Sequence, residues 1–203
     1  MTNIEVRDKL YSIVTSKEEV LDRSFFTLLP VGYKNRKGNM VAKHIAEGLE
    51  LEYKIDISDV MAEANLVIFD DILRLSNVSR DDLMDAATYN TEKAYPPKFE
   101  AIGDVLNMEG FSDLPMYVLT NDKMVYGAGA ILYDGMYEKL ERIVGDFIVL
   151  PSSVHETIIV PSVFDCPYIT SMIRQVNETV VAPDEVLSNR PYKLTPAGDL
   201  IEI

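Results

Sequence analysis

The chain has 203 residues and carries 19 basic and 33 acidic side chains, for a net charge of −14. This length suffices for one substantial domain with its own core, and the 26% share of charged residues is typical of a folded chain rather than a disordered one. The charge repels phosphate backbones and anionic lipids, so we expect no direct nucleic-acid binding, and no apolar run approaches the ~20 residues of a membrane span.

The first fifty residues are predicted to be helical. An amphipathic pattern in "IEVRDKLYSIV" is followed by Ser16 as an N-cap with Glu19 three residues later. After a basic loop, "YKNRKG", which we interpret as solvated, "NMVAKHIAEGLE" predicts another helix that starts after Asn39 and stops at Gly48. We therefore expect a helical N-terminal segment over residues 1–50.

The spacing of apolar residues changes from helix-like to strand-like at residue 51. "LEYKIDI" alternates apolar and charged residues, which predicts a half-buried strand, and "NLVIF" (65–69) predicts a more buried one. Two helices should follow, separated by a break at Asn77, with Ser79 as the N-cap of the second. A further helix is expected over residues 98–107.

The last hundred residues predict alternating pairs of strands and single helices. Strands are expected at "MYVLTN" (116–121), "GAGAILY" (127–133), "FIVLP" and "ETIIVP", and helices at 135–145 and "YITSMIRQVNETV", before a short terminal strand. This order predicts the α+β class, an antiparallel sheet with helices packed mainly on one face. Residues 51–203 would form the core domain, in one compact unit with the helical segment.

The stretch "LPSSVHETIIVP" concentrates the groups best suited to chemistry. Its two apolar runs are too close for a crossover, so they predict neighbouring antiparallel strands joined by a turn drawn from Ser152, Ser153 and His155. The alternative is a small hydrolase with Ser153 or Ser152 as nucleophile, His155 as base, and Glu156 or a distant aspartate orienting the imidazole. That alternative has no G-x-S-x-G elbow to support it, and a turn is the commoner structure for such a cluster.

Metal and cofactor sites are not expected. His44, His155 and Cys166 are the chain's nitrogen and sulfur ligands other than backbone groups, and they are far apart in sequence. Acidic pairs at 70–71 and 81–82 fall where helix starts attract acids anyway. A single cysteine and a first segment without an apolar core predict a cytoplasmic protein.

Two stretches, "LPSSVHE" (150–156) and "VAPDEVLS" (181–188), resemble signatures of an uncharacterised domain family of gut-dwelling Gram-positive bacteria. The resemblance is close over 115–189 and looser over 4–30 and 51–110. Members of that family are longer at the N-terminus, so this chain resembles the C-terminal part of their architecture. The family has no established activity, and the resemblance implies a bacterial cytosolic setting rather than a reaction.

The acidity leads to our functional hypothesis. Residues 51–110 carry thirteen acidic and five basic side chains, and an acidic surface attracts basic partners. We predict a non-enzymatic protein–protein interaction module, an inhibitor of a host factor encoded by a phage or another mobile element. Its contact surface would be acidic or would lie at the hairpin tip with Ser152, Ser153 and His155. The alternatives are the hydrolase and an inhibitor that imitates nucleic acid.

Overall fold

A computed structural model describes residues 1–33, 38–106, 115–163 and 166–203. These residues form seven α-helices and ten β-strands. The helices are α1 (Asn3–Thr15), α2 (Lys17–Asp22), α3 (Asp70–Ser76), α4 (Arg80–Ala94), α5 (Ile102–Leu106), α6 (Met136–Val144) and α7 (Cys166–Thr179). The strands are β1 (Ser24–Pro30), β2 (Ala42–Ala46), β3 (Leu49–Asp56), β4 (Asn65–Val67), β5 (Pro97–Ala101), β6 (Tyr117–Asn121), β7 (Phe147–Leu150), β8 (Thr157–Pro161), β9 (Tyr192–Leu194) and β10 (Leu200–Glu202). The predicted α+β class is confirmed.

The chain starts with helices, as predicted, because both have local caps. Thr2 and Glu5 form a capping box at the start of α1, in which each side chain accepts a hydrogen bond from the other residue's backbone N–H. At the start of α2, Ser16 Oγ accepts a hydrogen bond of 3.3 Å from the N–H of Glu19. The predicted cap at Ser16 is therefore confirmed.

The helical prediction is wrong for residues 24–30 and 42–46, which form β1 and β2. The helix predicted between Asn39 and Gly48 is a strand because β2 pairs with β3 across the two-residue connection Glu47-Gly48. Gly48 has a φ of +78°, a conformation that serves a tight hairpin turn as well as a helix end. The basic residues predicted to form a loop at 34–37 lie outside the described residues.

The first sheet has the strand order β1-β3-β2, and β4 also pairs with β3. The predicted half-buried strand over 51–57 is wrong in its exposure, because Glu52 and Lys54 are both buried and lie 3.3 Å apart, Oε1 to Nζ. A central strand is covered on both faces, which turns an alternating pattern into a fully buried strand. Contrary to prediction, β4 is less buried than β3.

Helices α3 and α4 follow the sequence pattern closely. Asn77 ends α3 in the left-handed conformation, with a φ of +56°, and Ser79 Oγ accepts a hydrogen bond of 3.1 Å from the N–H of Asp82. The side-chain amide of Asn90 in α4 donates to the carbonyl oxygens of Leu21 (2.8 Å) and Ser24 (2.9 Å). These bonds fix which side of α4 faces inward.

The second sheet has the order β10-β9-β7-β8-β6-β5, with antiparallel pairs throughout. Helix α7 packs Ile169 and Ile173 against Ile148 and Leu150 of β7. Phe147, which strand alternation directs to the other face, contacts Tyr137 of α6 at 5.9 Å between ring centroids. The sheet thus has a helix against each face.

Two further predictions are corrected in this part of the chain. The strand predicted at 127–133 is a buried 3₁₀ helix, Gly127–Leu132, whose first residue lies too close to the backbone of Asn121 and His155 for any Cβ. The helix predicted at 98–107 is β5 followed by α5, because β5 pairs with β6 along its whole length. The strands predicted at 116–121 and in "FIVLP" and "ETIIVP", and the helices predicted at 135–145 and in "YITSMIRQVNETV", are confirmed.

By internal packing the chain divides into two units. The first comprises Met1–Thr27, Asn35–Lys43 and Leu51–Ala94, and the second comprises Leu28–Lys34, His44–Glu50 and Tyr95–Ile203. The domain boundary predicted at residue 50 stays a prediction. No helix in the described part of the chain is both long and apolar enough to cross a membrane.

Candidate functional site

The connection between β7 and β8, residues 151–156, contains the residues singled out in the sequence. The two strands are antiparallel neighbours, as predicted, and Leu150 lies opposite Ile158. The connection is buried rather than an exposed tip, since Ser152 is 1% exposed and Ser153 is 3% exposed. These hydroxyl groups therefore lie inside the second unit.

The connection is covered by residues 185–188, part of the second signature-like stretch. Ser153 and Val186 form an antiparallel β-bridge. On either side of it, the N–H of Val154 donates to the carbonyl oxygen of Glu185 (2.9 Å), and the N–H of Leu187 donates to that of Ser152 (3.0 Å). The two stretches quoted for the resemblance thus pair with each other in space.

The imidazole of His155 has partners at both nitrogens. Nδ1 accepts a hydrogen bond of 3.1 Å from the N–H of Tyr126, and Nε2 lies 3.3 Å from Oε1 of Glu185. A ring that accepts at Nδ1 carries its proton at Nε2, facing the carboxylate. His155 therefore connects three segments of the second unit: the connection, the Tyr126 loop and the 185–188 segment.

Ser153 is bonded to the backbone of His155 and not to its ring. Ser153 Oγ accepts a hydrogen bond of 3.0 Å from the N–H of His155, the local turn that serines commonly make. A nucleophile must donate its hydroxyl proton to a base about 3 Å away, and both ring nitrogens of His155 face other groups. The geometry favours a role in holding the connection over a role in activating a hydroxyl.

Glu156 is the titratable group with the clearest perturbation in this region. Burial raises the pKa of the Glu156 carboxyl above its ordinary value, His155 partly offsets this, and the nearby Glu185 raises the pKa further. An acid perturbed by burial is a common feature of functional sites. A half-buried carboxylate beside a second carboxylate also has a raised pKa where its role is purely structural.

Sequence reasoning missed the loop that supports His155. Thr120 Oγ1 donates a hydrogen bond of 2.7 Å to the carbonyl oxygen of His155, and Tyr126, with a φ of +51°, turns its N–H toward the ring. A Cβ atom on Gly127 would lie 2.6 Å from the N of Asn121 and 2.7 Å from the O of His155. The signal for this role in the sequence was the glycine that opens "GAGA".

The described cavities lie elsewhere. None of the four is lined by Ser152, Ser153, His155 or Glu156. Among the described residues, no group of three or more His, Cys, Asp and Glu side chains could hold a metal ion. The side chain of Cys166 lies outside the described residues. The catalytic and binding roles assigned to the connection from the sequence stay predictions.

A second polar region, the outer face of α4, differs in being exposed. Leu83 and Ala87 are fully buried on the inner side of the helix. On the opposite side Asp81, Asp85 and Tyr89 follow each other at four-residue spacing, which aligns them along one line of a helix. Tyr89 is 66% exposed. We call these three residues the acidic face of α4.

Two basic residues near this face, Lys17 and Arg80, bind other acids. Lys17 Nζ lies 2.8 Å from Asp82, and this hydrogen bond lowers the pKa of the Asp82 carboxyl. Arg80 binds Asp70 at 2.5 Å. Asp81 and Asp85 form no salt bridge with any residue that the structure describes. Their negative charge is therefore directed to solvent.

Comparison with known proteins gives a family and no function. A model of the family of unknown function DUF5688 matches residues 47–195, a range that includes the connection, its cover and α4. No curated protein matches the chain, and no solved structure matches it. Because the match covers most of the chain, the protein belongs to DUF5688, a family of unknown function.

Proposed function

We propose that this protein is a non-enzymatic binding module that holds a basic protein partner on the acidic face of α4. The observation that carries the proposal is the pair Asp81 and Asp85, exposed one helical turn apart without a salt bridge to any described residue, beside the exposed ring of Tyr89.

Charge and aromatic area contribute differently to such a contact. Uncompensated carboxylates speed the encounter with a basic surface and set its orientation. A tyrosine that is exposed before binding and buried afterwards supplies apolar area and a hydroxyl, and tyrosine is enriched among residues that dominate binding energy. Lys93 Nζ lies 5.6 Å from the centre of the Tyr89 ring, so we expect a partner's arginine or lysine to approach the carboxylates of Asp81 and Asp85 rather than the ring face that Lys93 occupies.

The geometry of the connection also supports a binding role, because it argues against a hydrolase. Its hydroxyl, imidazole and backbone groups bond to one another and to residues 185–188. A hydrolase would need these groups to converge on an open cleft instead. Inhibition of a host factor, the biological role predicted from the sequence, stays a prediction.

The test is a quantitative pull-down from bacterial lysate at about 0.15 M salt, where surface charges are screened beyond ~8 Å. The bait variants are Asp81→Lys with Asp85→Lys, and a matched control, Glu138→Lys with Asp199→Lys, which makes the same change of net charge at exposed sites elsewhere. We expect the wild type and the control to retain the same basic protein and the α4 variant to lose it. Equal capture by all three baits would refute the proposal.

The same experiment separates the alternatives. If excess duplex DNA displaces the captured protein from the bait, the acidic face competes with nucleic acid for one site and the charge-mimicry hypothesis is favoured. For the hydrolase, a fluorophosphonate probe should leave the wild type unlabelled. Labelling that disappears in Ser153→Ala and in His155→Ala would support a catalytic serine and contradict our proposal.

A further inference from the structure

Strand β5 is the last strand of the second sheet and has β6 on one side of it. Of the elements that the structure describes, β5 packs chiefly against β6 and the short helix α5. All five of its residues are partly exposed. In the described part of the chain, the outer side of β5 is therefore an open sheet edge, which can pair with a further strand.

The backbone hydrogen bonds show which residues of β5 face this edge. The N–H of Asp122 donates to the carbonyl oxygen of Pro96 at 2.9 Å. At the other end of the pairing, the N–H of Ile102 donates to the carbonyl oxygen of Met116, also at 2.9 Å. Because hydrogen-bonded pairs alternate along an antiparallel ladder, the even-numbered residues of β5 bond to β6. The odd-numbered residues direct their backbone groups to the outer edge.

The outward residues, Pro97, Phe99 and Ala101, would match a second copy of the same strand. In an antiparallel pair centred on Phe99, the two Phe99 residues would donate an N–H to each other's carbonyl oxygen. The N–H of Ala101 would donate to the carbonyl oxygen of Pro97 in the other copy. Every outward N–H of β5 would then have an acceptor, since proline has no N–H to satisfy.

The side chains are complementary in the same arrangement. Lys98 and Glu100 lie on one face of β5 with Nζ and Oε2 2.7 Å apart, and their side chains are 41% and 42% exposed. Around a two-fold axis at Phe99, Lys98 of one copy would lie opposite Glu100 of the other, an attractive cross-strand pair. On the other face Phe99 stacks on Tyr117, with 5.0 Å between ring centroids, and a second Phe99 would extend that stack.

We propose that β5 pairs with β5 of a second copy of this chain, antiparallel and centred on Phe99, to form a homodimer with one continuous sheet. Two strands of five residues bury less than a standard interface of roughly 1,600 Å². The dimer is therefore weak, with a Kd on the order of 10–100 µM. It does not use the acidic face of α4, and it stands if the function proposed for that face fails.

Sedimentation velocity of the full chain between about 5 µM and 1 mM measures the association. Lys98→Glu places like charges opposite each other and should raise the Kd of the dimer at least about tenfold. The matched control is Lys139→Glu on α6, which makes the same change of net charge at another exposed site. The control should keep the Kd within about twofold of the wild-type value, because an isolated surface charge contributes little.

A mixture of two variants tests the register. Glu100→Lys should weaken the homodimer as Lys98→Glu does, because lysines then lie opposite each other. An equimolar mixture of the two variants should regain the wild-type association, since each glutamate of one copy then lies opposite a lysine of the other. Both variants stay acidic, as the wild type has a net charge of −14, so net charge cannot cause this recovery. A mixture that remains monomeric would contradict the register.

Amide hydrogen exchange followed by NMR identifies the edge that pairs. In concentrated protein the N–H groups of Phe99 and Ala101 should exchange at least about threefold more slowly than in dilute protein. Those of Lys98 and Glu100 bond to β6 in both states and should change little. A chain that stays monomeric over the whole concentration range would overturn the proposal, as would equal effects of Lys98→Glu and Lys139→Glu. Protection that appears on β10, at the opposite end of the sheet, instead of β5 would also overturn it.

Discussion

The connection 151–156 and the acidic face of α4 are both polar, but the fold uses their polar groups in opposite ways. In the connection, Ser153 Oγ is bonded to the backbone of His155, and the His155 ring has partners in two other segments, Tyr126 and Glu185. On α4, Asp81 and Asp85 stand in solvent without a salt bridge to a described residue.

The difference shows that residue type alone does not identify a functional group. Serine, histidine and glutamate in sequence resemble a catalytic set, yet burial makes unpaired polar groups costly, so the fold provides partners for them. Exposed aspartates have no such requirement, and their charge remains available to a partner. Four predictions, from the largest expected effect to the smallest, test this contrast between the buried connection and the exposed face.

Gly127→Ala should have the largest effect, a loss of about 3 kcal/mol or more in the free energy of unfolding. The added Cβ would lie 2.6 Å from the backbone N of Asn121 and 2.7 Å from the backbone O of His155. Backbone atoms cannot move aside as a side chain can, so the support of His155 must distort. Urea unfolding monitored by circular dichroism measures the loss.

The matched control is Gly135→Ala. Nothing lies within 4 Å of a Cβ at this position, and the φ of +70° alone should cost about 1 kcal/mol. Equal losses for the two variants would mean that the loop at Gly127 adapts and that the connection is held less tightly than its contacts indicate.

Tyr53 extends the comparison to a buried group that titrates. Burial raises the pKa of the Tyr53 hydroxyl to about 12 from its ordinary value of 10.0. Below pH 10 both folded and unfolded chains keep the proton. Between pH 10 and 12 the unfolded chain loses it first, so stability should fall by about 1.4 kcal/mol per pH unit, near 3 kcal/mol in all. Tyr53→Phe should remove this part of the alkaline destabilisation in urea titrations at each pH, and an unchanged pH profile would contradict it.

His155→Ala should lower the free energy of unfolding by about 1–2 kcal/mol, because the N–H of Tyr126 and the carboxylate of Glu185 lose their partner. Asp85→Asn on α4 should change it by less than about 0.5 kcal/mol, as surface substitutions usually do. Chemical denaturation measures the free energy of unfolding of both variants. A stable His155→Ala protein would reopen a functional role for the imidazole.

Most of the fold could be predicted where local signals act alone. The caps at Ser16 and Ser79, the break at Asn77, and the strands around "LPSSVHE" follow from residue type and spacing. The wrong prediction of a helix between Asn39 and Gly48 has a tertiary cause. Residues 42–46 have a helical apolar pattern, but pairing with β3 overrides it.

The surroundings of the candidate site could not be predicted from the sequence, because they also depend on tertiary contacts. Periodicity predicts that 150–156 joins two strands, but not that 185–188 covers it or that Tyr126 binds His155. These contacts join segments some thirty residues apart, and a single sequence carries no signal for such pairs.

Glu156→Gln should have a smaller effect than His155→Ala, and it should stabilise the protein. The pKa of Glu156 is raised in the folded chain, chiefly by burial, so the folded protein keeps the proton to a higher pH than the unfolded chain does. Stability therefore falls as pH rises from the ordinary value through the raised one, and at neutral pH the folded carboxylate is charged at a cost. Glutamine removes that cost, and the gain should stay under about 1 kcal/mol because water screens the partly exposed group. The difference between variant and wild type should vanish below the ordinary pKa of 4.5 in paired denaturation series. A variant that is less stable at neutral pH would contradict this prediction. It would show that the charged Glu156 carboxylate stabilises the connection through His155.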